Sequence, residues 1–112
     1  MTIDDLKAFG ANTEEGLTRC FGNEGLFFKL IATVPSDANF DKLKAAAETG
    51  NTGDMFEAAH ALKGALGNLS LTPMYDAVSD ICESARAGNA PAPEKVKELL
   101  DLRDRLNTIV NQ

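Results

Sequence analysis

Five apolar residues between positions 53 and 69 recur at alternating spacings of four and three residues, and this pattern constrains the fold most strongly. They are Met55, Ala59, Leu62, Leu66 and Leu69. Side chains three and four residues apart are neighbours on an α-helix, so these five share one face. We therefore predict a helix from about residue 53 to 69, with an apolar face that other helices must cover.

Two short helices and one longer helix are predicted before this segment. Thr2 is positioned to cap the first, and Asn12, with Glu15 three residues later, resembles a capping box for the second. Together they look like an N-terminal lid. Asn23 can cap the longer helix, which Pro35 breaks or kinks. Its predicted apolar stripe consists of Phe27, Leu30, Ile31 and Val34.

Three further amphipathic helices complete the chain. One resumes after Ser36, one opens at Thr72-Pro73 with an N-cap followed by proline, and the last extends to about Val110. Their predicted inward residues are Phe40, Leu43 and Ala47, then Met74, Val78, Ile81 and Ala85, then Val96, Leu99, Leu102, Leu106 and Ile109. We predict an all-α protein: one domain over residues 1–112, an antiparallel up-down four-helix bundle with one or two short N-terminal helices.

Composition excludes several classes of protein. The formal net charge of -6 opposes binding to the nucleic-acid backbone, and no stretch approaches the roughly 20 apolar residues of a membrane span. Acidic residues stand where a secretory signal has basic ones, and Cys20 and Cys82 show no metal-site or disulfide spacing. We therefore expect a cytoplasmic protein with two buried free thiols, and no nucleic-acid or membrane partner.

The single histidine, His60, lies on the other side of the central helix from the apolar stripe. At about 100° per residue it projects roughly 140° from the centre of the stripe and should be exposed. Phe56, Lys63, Gly64 and Gly67 project on the same side. The two glycines cost up to ~1 kcal/mol each in helix propensity, which calls for a compensating role.

An exposed imidazole beside a lysine, with bare backbone one turn away, suits phosphoryl transfer. Neutral histidine is a good nucleophile near pH 7, whereas an exposed lysine contributes only ~1 kcal/mol or less to holding a phosphoryl group. Neither a metal-ligand cluster nor a phosphate-cradling loop is found in the sequence, so a partner would have to supply the catalysis. Two alternatives remain open: His60 is an inert surface residue, and the glycines are close helix-packing positions.

The segment Ala59-His60-Ala61-Leu62-Lys63-Gly64 resembles the AHxLKG signature of the histidine-containing phosphotransfer (HPt) family, and Asn68-Leu69 follows at the family's distance. The segment from Gly16 to Asn23 with Leu26-Phe27, and Ala85-Arg86-Ala87-Gly88, resemble the family in the flanking helices. One departure is Ser70, where the family commonly has glycine, so the turn from Asn68 to Thr72 is expected to be built differently.

This resemblance implies a phosphocarrier rather than an enzyme, without a metal or cofactor of its own. His60 would be the phosphoacceptor, Lys63 would lie beside the phosphoryl group, and the partner would contact Phe56, Gly64 and Gly67. The implied partners are receiver domains of response regulators or hybrid kinases, which bring magnesium, and the carrier is expected to be monomeric.

Two other interpretations of the sequence stay open. One is a helical module that docks a receiver or another signalling partner without being phosphorylated. The other is a part of a histidine kinase. Since the sequence shows no ATP-binding segment and begins at methionine, a free-standing adaptor is the expectation.

Overall fold

The computed structural model describes all residues, 1–112, and the chain is all-helical without a strand. A short 3-10 turn at Val34–Ser36 replaces the helix at Pro35, as the proline predicts. The seven α-helices are α1 (Ile3–Phe9), α2 (Thr13–Arg19), α3 (Glu24–Thr33), α4 (Ala38–Thr49), α5 (Thr52–Asn68), α6 (Thr72–Arg86) and α7 (Pro93–Val110).

Helices α4 to α7 form the predicted four-helix bundle. Each of these helices packs on the next, and α7 returns to α4 and closes the bundle. Short loops join them, so that neighbours run antiparallel. The most extensive packing is between α5 and α6, followed by α4 and α5. Helix α5 is therefore the central helix of the bundle, and its inner face is the best covered.

Helix α5 begins and packs as its sequence predicts. Asn51 caps it, since its side-chain oxygen accepts a hydrogen bond of 3.0 Å from the backbone N–H of Asp54. All five stripe residues, from Met55 to Leu69, are buried. Because the inner face is fixed in this way, the opposite face of α5 is held towards solvent.

The N-terminal helices lie over the turn between α5 and α6, which agrees with the lid interpretation. The backbone N–H of Asn12 donates to the carbonyl oxygen of Ser70 at 2.9 Å. Asn12 also caps α2, accepting from the N–H of Glu15 at 3.1 Å. The capping box is only half formed, because the Glu15 carboxylate accepts instead from the Ser70 hydroxyl at 2.8 Å.

The predicted core is wrong at Leu30, and in two other helices the predicted residues pack at its edge. Leu30 is 39% exposed, because α3 buries the narrower row of Phe27 and Ile31. In α4 the buried alanine is Ala46, and Ala47 is only half-buried. In α7, Leu102 and Ile109 are half-buried at the edge of the core, while Val96, Leu99 and Leu106 are buried.

Thr72 does not cap α6 as predicted. The helix already includes Thr72, Pro73 follows within the first turn, and the capping position belongs to Leu71, which offers no side-chain hydrogen bond. Leu71 is fully buried and its carbonyl oxygen accepts from the N–H of Tyr75 at 2.9 Å. Because the Leu71 carbonyl accepts this first helical hydrogen bond, the helix begins one residue earlier than predicted.

The two cysteines are buried and unpaired, as expected for Cys20 and Cys82. None of the helices combines the length and the apolar character that crossing a bilayer requires.

Candidate functional site

His60 lies on the outer face of α5 and is exposed, as the helical projection predicts. Phe56, one turn earlier, stacks on the imidazole with ring centroids 5.5 Å apart and an angle of 19° between the ring planes. The stack restricts the rotation of the imidazole and covers one of its faces. Its edges remain open to solvent.

Lys63 is the nearest cation of α5 on this face. It forms no ion pair with an acid of the chain, and its Nζ lies 5.9 Å from the centre of the Tyr75 ring on α6. Such a cation–π contact is worth ~0.5–1 kcal/mol at an exposed site. Tyr75 therefore keeps the ammonium beside α5 without neutralising it, so that its charge stays available to an anion.

The two glycines on this face are surrounded very differently. A Cβ added to Gly64 would meet no atom within 4 Å, so Gly64 does not mark a close contact between helices of this chain. A Cβ added to Gly67 would lie 3.1 Å from Cε2 and 3.3 Å from Cδ2 of Tyr75. The helix-packing alternative therefore explains Gly67, and only Gly64 leaves open backbone next to His60.

A surface depression of about 550 Å³ joins these residues to the N-terminal lid. His60, Lys63 and Gly64 line one side, Tyr75 lines the α6 side, and Glu15 and Arg19 of α2 line the remaining side. The depression is polar, and two cations, Lys63 and Arg19, line it together with the histidine. Phe56 lies outside its lining, on the other side of the imidazole.

Ser70 fixes the end of the depression where the lid meets the bundle. Its φ of 55° is left-handed, a conformation that favours glycine, yet the chain places serine there. The Ser70 hydroxyl donates to Glu15 Oε1 at 2.8 Å, and its carbonyl oxygen accepts from the N–H of Asn12. The Ser70 hydroxyl thus makes a hydrogen bond to the lid that a glycine at this position would lack.

Sequence reasoning identified the part of the site on α5 and missed the rest. Tyr75 reaches Lys63 from the next helix, and no periodicity in the sequence pairs the two residues. Glu15 and Arg19 show only the four-residue spacing of an ordinary helical ion pair. Their place in the same depression as His60 depends on the docking of the lid, which is a tertiary contact.

The chain has no group of three or more histidine, cysteine or acidic side chains placed to hold a metal ion. The acid nearest the depression is Glu15, and its Oε1 already accepts from Ser70 and lies 3.4 Å from Arg19 Nε. The depression therefore offers cations and an exposed imidazole, an arrangement suited to an anionic group.

Comparison with known families gives a match to this chain. The model of a family described as the Hpt domain matches residues 33–112, which is more than half of the chain. The match includes α4 to α7 and all of the site residues on α5, whereas α1, α2 and nearly all of α3 lie before it. Searches of curated proteins and of solved structures find no significant match.

Proposed function

Since the chain belongs to the Hpt domain family, whose members carry out histidine phosphotransfer in two-component systems, we propose that His60 is its phosphoacceptor. In this proposal the chain relays a phosphoryl group between aspartates of receiver domains. The observation that carries it is the position of the one histidine. His60 is exposed on α5, next to open backbone at Gly64 and in a depression with two cations.

The proposed transfer begins with a nitrogen of the neutral His60 ring attacking the phosphorus of a receiver aspartyl phosphate. A nitrogen–phosphorus bond forms, the bond between phosphorus and the carboxyl oxygen breaks, and that oxygen keeps the electron pair as the aspartate carboxylate. The proton on the other ring nitrogen is released to water. Transfer to a second receiver reverses these steps on another aspartate.

Lys63 and Phe56 support the imidazole in different ways. The Lys63 ammonium, which has no acidic partner, lies where it can orient the phosphoryl group, a contribution of ~1 kcal/mol or less at an exposed site. Phe56 stacks on the ring and limits its rotation. We propose that the partner also contacts Phe56, since it is half-buried at the edge of the site.

The two glycines have separate roles in this proposal. Gly64 lets the backbone of the partner approach the imidazole, because no side chain stands in that space. Gly67 is also proposed to be contacted by the partner, but its lack of a side chain is already explained by the Tyr75 ring. A larger residue at Gly64 is therefore expected to affect transfer more than one at Gly67.

Hpt domains act as phosphocarriers, and we propose that catalysis here belongs to the partner. In-line phosphoryl transfer needs charge neutralisation, usually by a metal ion, and a receiver domain would provide its magnesium. Such an encounter is expected to be small and transient. We further propose that residues 1–112 act as one unit, since the lid docks on the bundle. We also propose a cytoplasmic location, which suits two free thiols, and a monomeric state.

The test is incubation with a phosphorylated receiver domain. We expect an acid-labile, alkali-stable label on the protein that is lost in His60→Gln, with circular dichroism showing that the variant remains helical. Arg86→Gln, which changes an exposed residue at the far end of α6, is the control and should label normally. A receiver that binds without labelling the protein would instead indicate a binding-only module.

Gly64 provides a second test. Alanine at Gly64 should slow transfer, and aspartate should slow it further because it adds a negative charge beside the phosphoryl group. Helix content should be unchanged in both variants. If transfer from a cognate receiver kept its normal rate in Gly64→Asp, close approach at this position would be refuted.

A further inference from the structure

An ion pair on the lid lines the same depression as the histidine but lies outside the segment that matches the family. Arg19 Nε is 3.4 Å from Glu15 Oε1 on α2, and both side chains are half exposed. Both residues line the same depression as His60 and Lys63. Residues 1–32 precede the family match, and the resemblance of the segment from Gly16 to Asn23 to the family assigns no role to this pair.

Glu15 is anchored, whereas Arg19 is free to move. The Glu15 carboxylate accepts from the Ser70 hydroxyl at 2.8 Å, and the lid backbone is tied to Ser70 through Asn12 at 2.9 Å. Arg19 has only the long 3.4 Å contact to this carboxylate. Its guanidinium therefore keeps donors for another acceptor, and a change of partner would leave the contact between Glu15 and Ser70 intact.

A phosphoryl group on His60 would bring up to two negative charges and three acceptor oxygens into this depression. Glu15 offers one negative charge, and its carboxylate already accepts a hydrogen bond from the Ser70 hydroxyl. The planar guanidinium matches phosphoryl oxygens in a fork that an ammonium cannot form. The phosphoryl group is thus the stronger acceptor for Arg19.

We propose that Arg19 is a second phosphoryl-binding residue, which turns from Glu15 to the phosphoryl oxygens when His60 is phosphorylated. Glu15 is then a positioning residue: it holds the guanidinium beside the depression while His60 is unmodified. The inference rests on the proposed function of His60. It makes the lid, and not the bundle alone, part of the phosphoryl site.

The experiment uses the full chain phosphorylated by phosphoramidate, so that no cognate receiver is needed. A His60 nitrogen attacks the phosphorus, the nitrogen–phosphorus bond of the reagent breaks, and ammonia leaves with the electron pair and a proton. The measured quantity is the pH midpoint at which the ³¹P resonance of the phosphohistidine titrates. A nearby cation lowers this midpoint whichever group of the phosphohistidine takes the proton.

In Arg19→Gln the midpoint should rise by about half a pH unit, the size expected for an exposed charge pair. Arg19→Lys should recover part of the shift, since the charge remains and the fork is lost. Arg86→Gln is the matched control, since Arg86 also sits in an exposed helical pair, 2.6 Å from Glu83 at the far end of α6. Its midpoint should equal that of the unaltered protein.

A second measurement separates direct contact from a general effect of charge. The Nε–H resonance of Arg19 should move when His60 is phosphorylated, and that of Arg86 should stay in place. An unmoved Arg19 resonance, or equal midpoints in Arg19→Gln and Arg86→Gln, would overturn the role of Arg19 while the phosphohistidine itself is present. If phosphoramidate gave no phosphohistidine, the same comparison of midpoints would be made after labelling by a phosphorylated receiver domain, and failure of both donors would refute the proposed function and this inference with it.

Discussion

The outer surface of α5 has an open half around His60 and Gly64 and a closed half around Gly67 and Ser70. Gly64 faces empty space, whereas one turn later Gly67 lies under the Tyr75 ring and Ser70 holds the lid. The same residue type thus leaves open space at one position and makes room for a neighbouring ring at the next. A glycine near a histidine therefore supports a functional argument only when nothing within the chain fills its space.

The largest effect on stability is expected where the lid reaches the closed half. A Cβ on Gly16 would lie 2.5 Å from Cε1 of Phe27 and 3.1 Å from the carbonyl oxygen of Leu69. Phe27 is fully buried and the carbonyl is backbone, so neither can easily move aside. Gly16→Ala should destabilise the protein by about 2 kcal/mol in urea unfolding.

The control for Gly16 is another helical glycine, Gly25, in the first turn of α3. Gly25→Ala places its Cβ 3.4 Å from the Asn23 side chain, close to an ordinary contact, and should leave stability unchanged or raise it. Equal unfolding free energies for the two variants would show that the lid does not pack tightly on the closed half.

The difference between the halves also explains which parts of the structure could be predicted from the sequence. The stripe from Met55 to Leu69 and the outward projection of His60 follow from helical periodicity, and the structure confirms both. Periodicity acts within one helix. It therefore describes the open half, which is built by α5 alone.

The closed half depends on contacts between distant segments. Ser70 and Glu15 are 55 residues apart in the chain, and no local pattern predicts their hydrogen bond. The wrong prediction at Leu30 has a similar cause: helical spacing places it on the apolar stripe, but the neighbours of α3 cover a narrower row. The packing of neighbouring helices decides which apolar face is buried and which residues cover it.

Substitutions of Ser70 are expected to give the next largest change in stability. Ser70→Ala keeps a side chain in the left-handed conformation and removes the hydrogen bond to Glu15, so stability should fall by about 1 kcal/mol. Ser70→Gly also removes the hydrogen bond but relieves the backbone strain, and should be close to neutral. Urea unfolding of the pair separates the two contributions, and a glycine variant less stable than the alanine variant would contradict this account.

Gly64 and Gly67 test the comparison directly. Gly64→Ala adds a side chain in open space and should stabilise the helix by up to ~1 kcal/mol, raising Tm by about 4 °C. Gly67→Ala should gain less or lose, because Tyr75 must move. In a Tyr75→Ala background the gain at Gly67 should return. Equal changes in Tm for the two alanines in the unaltered background would remove the distinction between the halves.

The smallest effect concerns the contact that joins the two halves, between Lys63 and Tyr75. With the ammonium 5.9 Å from the ring centre, a double-mutant cycle of Lys63→Met and Tyr75→Leu should give a coupling of about 0.5 kcal/mol in unfolding free energy. The coupling is small because the contact is partly exposed, and so weak a contact leaves the ammonium available to an anion. A coupling of zero would assign Lys63 to the open half alone, whereas one well above 1 kcal/mol would mean that the ring holds the ammonium too firmly to release it to an anion.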